Sequence, residues 1–364
     1  MPQQVRDACV RHLDLECRVG SMEAEEQAPE GIEHTYDAVA SLLRCSRGEI
    51  ALVDSATRAW NMAFYSLPLR EGDRILTSEA SYASNFIGFL HRKRQTGVHV
   101  DVVRSDEYGQ VDVEALERHI DRRTRLIALT HIPTNGGLVN PAREVGRVAR
   151  QHGIPFLMDA CQSVGQIPLD VEDLGVDMLS GTGRKFLRGP RGTGFLYVRE
   201  GFIATLDPPT PDLRAARWST IHSYQLREDA RRFELWESNK AAVVGLGVAV
   251  DYALQWGIEI TWQRITQLAA MLRSNLSDIP GVRVRDMGRT KCGIVTFEME
   301  GHDPGDIKNR LRDMSINVSV SSPGSTLLDA RARSLPDLLR ASVHYYNTEE
   351  EIERFTAAII DFGT

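Results

Sequence analysis

The sequence predicts an α/β protein: a large domain on a doubly wound, mostly parallel sheet, then a smaller α+β domain. Three observations point there. Between positions 50 and 198, short near-continuous apolar runs alternate with amphipathic stretches, as expected of strands buried on both faces and the helices covering them. After about position 260, strand and helix patterns mix in a second, shorter texture. The 364 residues also exceed what one core usually serves.

In chain order, residues 2–27 read as helix, with small or apolar residues at Val5, Ala8, Cys9, Leu13 and Cys17 among charged ones. Residues 37–43 read as another. Strands follow at 50–53, 74–77, 98–103, 126–130, 155–158, 178–179 and 194–198. Helices between them fall at 57–66, 85–94, 113–119 and 141–151. Beyond Thr205 the prolines Pro208, Pro209 and Pro211 mark a looser stretch. Helices at 241–256 and 260–276 come next. Strands at 282–285, 293–298 and 317–321 then mix with helices at 306–313 and 349–359. The expected division is 1–29 as a helical segment packed on the small domain, 30–259 as the large domain and 260–364 as the small one.

Composition narrows the partners. The chain is 42% hydrophobic and 26% charged, as in ordinary globular proteins. A net charge of −7 and the absence of a basic stripe argue against nucleic acid. Arg331, Arg333 and Arg340 are interrupted by Asp337 and preceded by Asp329. Residues 241–254 form the longest apolar stretch, too short to span a bilayer, so no membrane partner is expected. The five cysteines are scattered and match no metal spacing, which fits free thiols in a reducing cytoplasm.

Ligands of open α/β sheets sit beyond the carboxyl ends of the strands, so residues there are the candidates. Asp54-Ser55-Ala56-Thr57 lies between strand and helix and reads either as a helix cap or as a phosphate cradle. Asp159 ends an apolar strand, where a carboxylate needs a cap, a salt bridge or a cationic ring nitrogen. Lys185 ends Ser180-Gly181-Thr182-Gly183-Arg184-Lys185, in a chain whose other lysines are Lys93, Lys240, Lys291 and Lys308 amid many arginines. A lysine can lose its proton and condense with an aldehyde, whereas arginine cannot; a surface lysine is the plainer alternative. Arg340 either clamps a carboxylate or lies in solvent.

Together and in this order the stretches resemble the class V aminotransferase family of fold-type I pyridoxal-phosphate (PLP) enzymes. That family includes cysteine desulfurases, isopenicillin N epimerase-like proteins and C–S lyases. The likeness runs from about Glu30 to the C-terminus. It is carried by Met158-Asp159-Ala160-Cys161-Gln162 and Thr182-Gly183-Arg184-Lys185, with Gly192-Thr193-Gly194-Phe195-Leu196-Tyr197-Val198 after them. The resemblance implies that Lys185 holds pyridoxal 5′-phosphate covalently and moves the substrate α-proton. It implies Asp159 at the pyridine nitrogen, Gln162 at the ring hydroxyl and Tyr82 over the ring face. Thr134 or Asn135 would touch the ring side. Ala56, Thr57 and Thr182 would hold the phosphate with Arg184, where the family often has histidine. Arg340 would bind the α-carboxylate of a small amino-acid substrate. The family builds its site at a homodimer interface, where Asn239 would reach the partner's phosphate.

Two departures shape the expected activity. Family desulfurases carry a nucleophilic cysteine on a loop shortly before the arginine matched by Arg340. Residues 321–329 here, Ser-Ser-Pro-Gly-Ser-Thr-Leu-Leu-Asp, contain none. The family's short Leu-Asp-Xaa-Ala-type segment is also missing ahead of the first helix. A base, an electron sink and a carboxylate clamp without that thiol suit a C–S β-lyase. Such an enzyme would convert a cysteine-derived substrate to pyruvate, ammonia and a sulfur product. An aminotransferase, an epimerase or a cyclase would use the same residues, and a non-catalytic PLP-fold protein would not need them.

Overall fold

The structure is a computed structural model and describes residues 1–363. Helices α1 (Gln3–Val19) and α2 (Ser21–Gln27) open the chain. The sequence predicted one helix here; Gly20, at φ 101°, breaks it in two. Helix α3 (Pro29–Leu43) begins earlier than expected, with Pro29 in its first turn, where a missing N–H costs nothing.

Seven strands make the large sheet: β1 (Ile50–Val53), β2 (Arg74–Ser78), β3 (His99–Val103), β4 (Thr124–Thr130), β5 (Phe156–Asp159), β6 (Met178–Thr182) and β7 (Gly194–Val198). Helices α4 (Ala56–Tyr65), α5 (Ala83–Thr96), α6 (Val113–His119) and α7 (Ala142–His152) are threaded between them. Spatial order is β1-β7-β6-β5-β4-β2-β3. The pairings β2–β3, β2–β4, β4–β5 and β5–β6 are parallel, and β7 is antiparallel to both β1 and β6. Residues 183–193 join β6 to β7 without a crossover helix, so β7 must return antiparallel. Along β4 and β5, successive residues feed opposite cores: Ile127, Leu129, Phe156 and Met158 enter one, Leu126, Ala128 and Leu157 the other. That double burial explains the unbroken apolar runs.

Past α8 (Glu200–Ile203), strands β8 (Ala216–Thr220) and β9 (Ser223–Leu226) form an exposed hairpin, in the stretch the sequence predicts to be looser. Helices α9 (Lys240–Trp256) and α10 (Ile258–Ser277) follow, bent apart at Gly257. Helix α9 is apolar because it packs against α3 and α1. No single helix among the described residues is long and apolar enough to cross a membrane.

The second sheet, β10-β11-β13-β12, is antiparallel and comprises β10 (Val282–Val284), β11 (Ile294–Met299), β12 (Ser319–Ser321) and β13 (Leu338–Ser342). Helices α11 (Pro304–Asp313), α12 (Leu327–Ala332) and α13 (Glu349–Gly363) complete it. Neither α12 nor β13 was expected. The first helix also lies elsewhere than expected: α1 runs along α9, not chiefly on the small domain. Gly245 permits this approach, since a Cβ there would stand 2.3 Å from Cys9 Sγ.

Candidate active site

The carboxyl ends of β1, β4, β5 and β6, with the turn after β2, surround an open pocket of about 640 Å³. Ser55, Ala56, Thr57, Tyr82, Asn85, Thr130, Ile132, Thr134, Asp159, Cys161, Gln162, Thr182, Arg184 and Lys185 line it. Parallel strands end together on one rim, so one-dimensional neighbours of five separate strands become three-dimensional neighbours here.

Asp159 forms the floor. It is 6% exposed, and Oδ2 accepts from Asn85 Nδ2 at 2.7 Å while Oδ1 accepts from the Cys161 N–H at 2.9 Å. Burial pushes its carboxyl above the usual range, against the pull of those donors and of Lys185. Asp159 takes part in no ion pair among the described residues, and the Lys185 charge reaches it only at longer range, so a buried carboxylate here has room for a cationic partner. Lys185 shows the opposite shift. Burial, then the nearby Arg340 charge, lowers its ammonium to about 8, so a useful fraction is free amine near neutrality.

On another wall, Ser55 caps α4, accepting from the Arg58 N–H at 3.2 Å. Ala56 and Thr57 open that helix, where free N–H groups and the helix dipole favour an anion. Gly194 makes room: a Cβ there would stand 2.6 Å from the Ser55 carbonyl carbon and 2.9 Å from the Ala56 nitrogen. Thr182, whose Oγ1 donates to the Thr193 carbonyl at 3.0 Å, stands beside it. Arg184 is exposed and projects from the same rim.

Arg340 comes from the small domain on β13, an element the sequence did not reveal. Its Nη1 donates to Thr134 Oγ1 at 3.0 Å and its Nε to Ser342 Oγ at 3.1 Å, leaving the guanidinium without a carboxylate. Asn135 turns to the same domain, donating to Thr326 Oγ1 at 3.2 Å, and its Oδ1 has no partner. Gln162 lines the pocket with its Oε1 unpartnered, and Ser180 Oγ is buried and unpartnered too. Tyr82 precedes α5, its N–H held by Thr130 Oγ1 at 3.2 Å.

Nine of the predicted residues thus line one pocket: Ala56, Thr57, Tyr82, Thr134, Asp159, Gln162, Thr182, Arg184 and Lys185. Arg340 joins through Thr134, and Asn135 flanks it. Asn239 does not join within one chain. It caps α9, accepting from the Ala242 N–H at 2.9 Å, and lines a separate cavity with Asp54, Arg58 and Gly192. Asn85 was missed, because an asparagine in a polar helix carries no signal until the helix is docked.

The Aminotransferase class-V family model matches residues 1–355. The chain belongs to the class V aminotransferase family. A probable cysteine desulfurase of Methanothermobacter thermautotrophicus is 31% identical over 90% of this chain and 82% of its own. One from Xylella fastidiosa is 32% identical over 92% and 80%. The apo structure of a cysteine desulfurase from Thermococcus onnurineus superposes with a TM-score of 0.92 at 25% identity, covering 100% of this chain and 92% of that one. As a member of this family the protein is a PLP-dependent enzyme.

The pocket fits that cofactor by its own chemistry. A buried carboxylate outside any ion pair suits a pyridinium nitrogen, and an amine at reduced pKa suits an aldehyde. The helix N-terminus that Gly194 leaves open suits a phosphate. The unpartnered Gln162 Oε1 on the pocket wall marks a polar space built for a ligand.

Proposed function

We propose that the protein is a PLP-dependent C–S β-lyase acting on an S-substituted cysteine or its sulfoxide, and that it works as a homodimer. One observation carries the reading. The pocket joins an amine base, a carboxylate floor and an unpaired guanidinium, while residues 321–329 offer no thiol. Cys161 is the one cysteine on the pocket wall, and burial, then Asp159, pushes its thiol up to about 12, so it is no thiolate near neutrality.

In this reading Arg340 holds the substrate carboxylate and fixes the α-carbon within reach of Lys185. Lys185 removes the α-proton, and the pair of electrons released expels sulfur from Cβ. The enamine left after release takes up water and gives pyruvate and ammonia. Bound here, pyridoxal phosphate supplies the electron sink. Asp159 holds the positive charge that makes the sink deep, and Asn85 holds Asp159 in place.

The relatives' names favour a second reading, desulfuration of cysteine, with the sulfur passed to an acceptor outside residues 321–329. One product assay separates the two. The holoenzyme is incubated with L-cysteine, S-alkyl cysteines and their sulfoxides, and pyruvate and alanine are quantified. Catalytic pyruvate supports the lyase; alanine, with the sulfur left as a persulfide rather than released as sulfide, supports the desulfurase. Bleaching of the cofactor colour with neither product would point to transamination.

For the dimer, the support is the β8–β9 hairpin. It carries Trp218, Ile221 and Tyr224 at 71%, 80% and 55% exposure. A monomer rarely leaves such a cluster in water.

A further inference from the structure

The peptide that follows Lys185 is gripped by the small domain at a point the reaction does not touch. The Phe186 carbonyl accepts from His344 Nε2 at 3.0 Å. His344 Nδ1 accepts the Tyr345 N–H at 3.0 Å, so the ring proton is on Nε2 and aimed at Phe186. The imidazole is 8% exposed and stacks on the Phe186 ring at 5.3 Å and on Tyr346 at 4.7 Å, with Tyr345 edge-on at 4.5 Å. Arg188 closes the turn. Its N–H donates to the Lys185 carbonyl at 3.0 Å and its guanidinium lies 4.3 Å from the centre of the Tyr346 ring. It also donates to the Tyr345 hydroxyl at 3.2 Å. Arg188 holds φ at 59°, a left-handed backbone unusual for a residue with a side chain.

The partners of this grip, His344, Tyr345 and Tyr346, sit four to six residues beyond Arg340 in sequence, just past the end of β13. The guanidinium and the lysine turn are therefore held by one continuous segment. We propose that His344 is a positioning residue that fixes the Lys185 backbone relative to Arg340. The inference rests on Lys185 being the cofactor-bearing base. Burial lowers the His344 imidazole to about 4, with the Arg188 and N-terminal charges acting in the same direction, so the ring stays neutral through the working range. The tether is thus a fixed hydrogen bond and not a switch. Lys185 in turn feels Arg340, Cys161, Arg184 and Asp159, so a shift of its backbone changes its distance from all four.

Three holoenzyme variants test this. His344→Phe keeps the stacking and loses the donor, His344→Asn keeps polarity but is too short to reach Phe186, and His344→Gln can place an amide N–H near the lost Nε2. The pH midpoint of the cofactor's visible absorbance is titrated beside kcat, KM and thermal melting. Expected is a midpoint moved by about half a pH unit in His344→Phe and His344→Asn. With it, kcat should fall about 10- to 100-fold at nearly constant KM, and His344→Gln should recover both. Should His344→Phe fail to fold, His344→Asn carries the test. An unmoved midpoint in a folded variant, or lost activity tracking only lost thermal stability, would overturn the proposal. Lys185→Ala separates the premise: if the band survives in it, Lys185 is not the cofactor lysine. If the band needs Lys185 and ignores His344, the positioning role alone fails.

Discussion

At the scale of single residues, the pocket works by making three groups unusual. Lys185 is easier to deprotonate than a free lysine, Asp159 is buried without an ion-pair partner, and Arg340 has no carboxylate. Lys185→Ala should lose the visible band and at least about 1000-fold in turnover while the far-ultraviolet dichroism stays native; retained turnover would remove Lys185 from the mechanism. Attachment of cofactor to apoprotein needs the free amine, so its rate should climb with pH and level off above about 8, not near the ordinary 10.5. The same shift makes the apoprotein gain stability between pH 8 and 10.5, where the unfolded chain still holds a proton that the folded one has released. Asn85→Leu should lower kcat about tenfold by freeing Asp159 to turn, with KM little changed. In Gly194→Ala the new methyl meets the start of α4, and cofactor affinity measured by fluorescence titration should weaken about tenfold or more.

Elements decide which of these residues could be foreseen. Most strands and helices of the large domain are legible because the inner strands are buried on both faces and the helices on one, so apolar patterning marks them; β3, at the sheet edge, is buried only at Val103. Asp159 and Lys185 stood out because a carboxylate or an amine at the end of an apolar strand is conspicuous. The β8–β9 hairpin was not legible, since both strands are exposed and carry no alternating pattern. Strand β13 was hidden for another reason: its five residues, Leu-Leu-Arg-Ala-Ser, follow a proline and carry too few apolar residues to stand apart from a loop. Pairing with β11 and β12 makes them a strand and swings Arg340 toward Thr134. Asn239 was placed by likeness alone, and its local chemistry turned out to be that of a helix cap. A buried knot ties the front elements together. Glu234 accepts from the Tyr36 hydroxyl at 2.7 Å, the Leu52 N–H at 2.9 Å and Arg214 Nε at 2.8 Å. Glu234→Ala strands three donors and should cost about 3–5 kcal/mol in denaturant unfolding; a loss under about 1 kcal/mol would mean water replaces the carboxylate.

For the whole molecule, the exposed hairpin is the feature least at ease in water. If it seats against a second copy, Trp218→Asp with Ile221→Asp should halve the mass measured by light scattering; an unchanged mass would place the interface elsewhere. The two domains are joined more firmly than two packed surfaces would be. From Gly136 to Val139 the loop after β4 pairs with the small domain through backbone hydrogen bonds. Gly136 O accepts from the Met287 N–H at 2.8 Å, Gly137 O from the Cys292 N–H at 2.7 Å, and the Val139 N–H donates to Thr290 O at 3.1 Å. Gln110 adds one side-chain brace, its Nε2 donating to Val139 O at 2.7 Å and its Oε1 accepting from the Arg289 N–H at 3.3 Å, but the three backbone bonds need no side chain, so ordinary mutation cannot erase them one contact at a time. Heat should find no weaker half to release first: calorimetry should show a single endotherm for the chain, and saturating cofactor should move that whole peak upward.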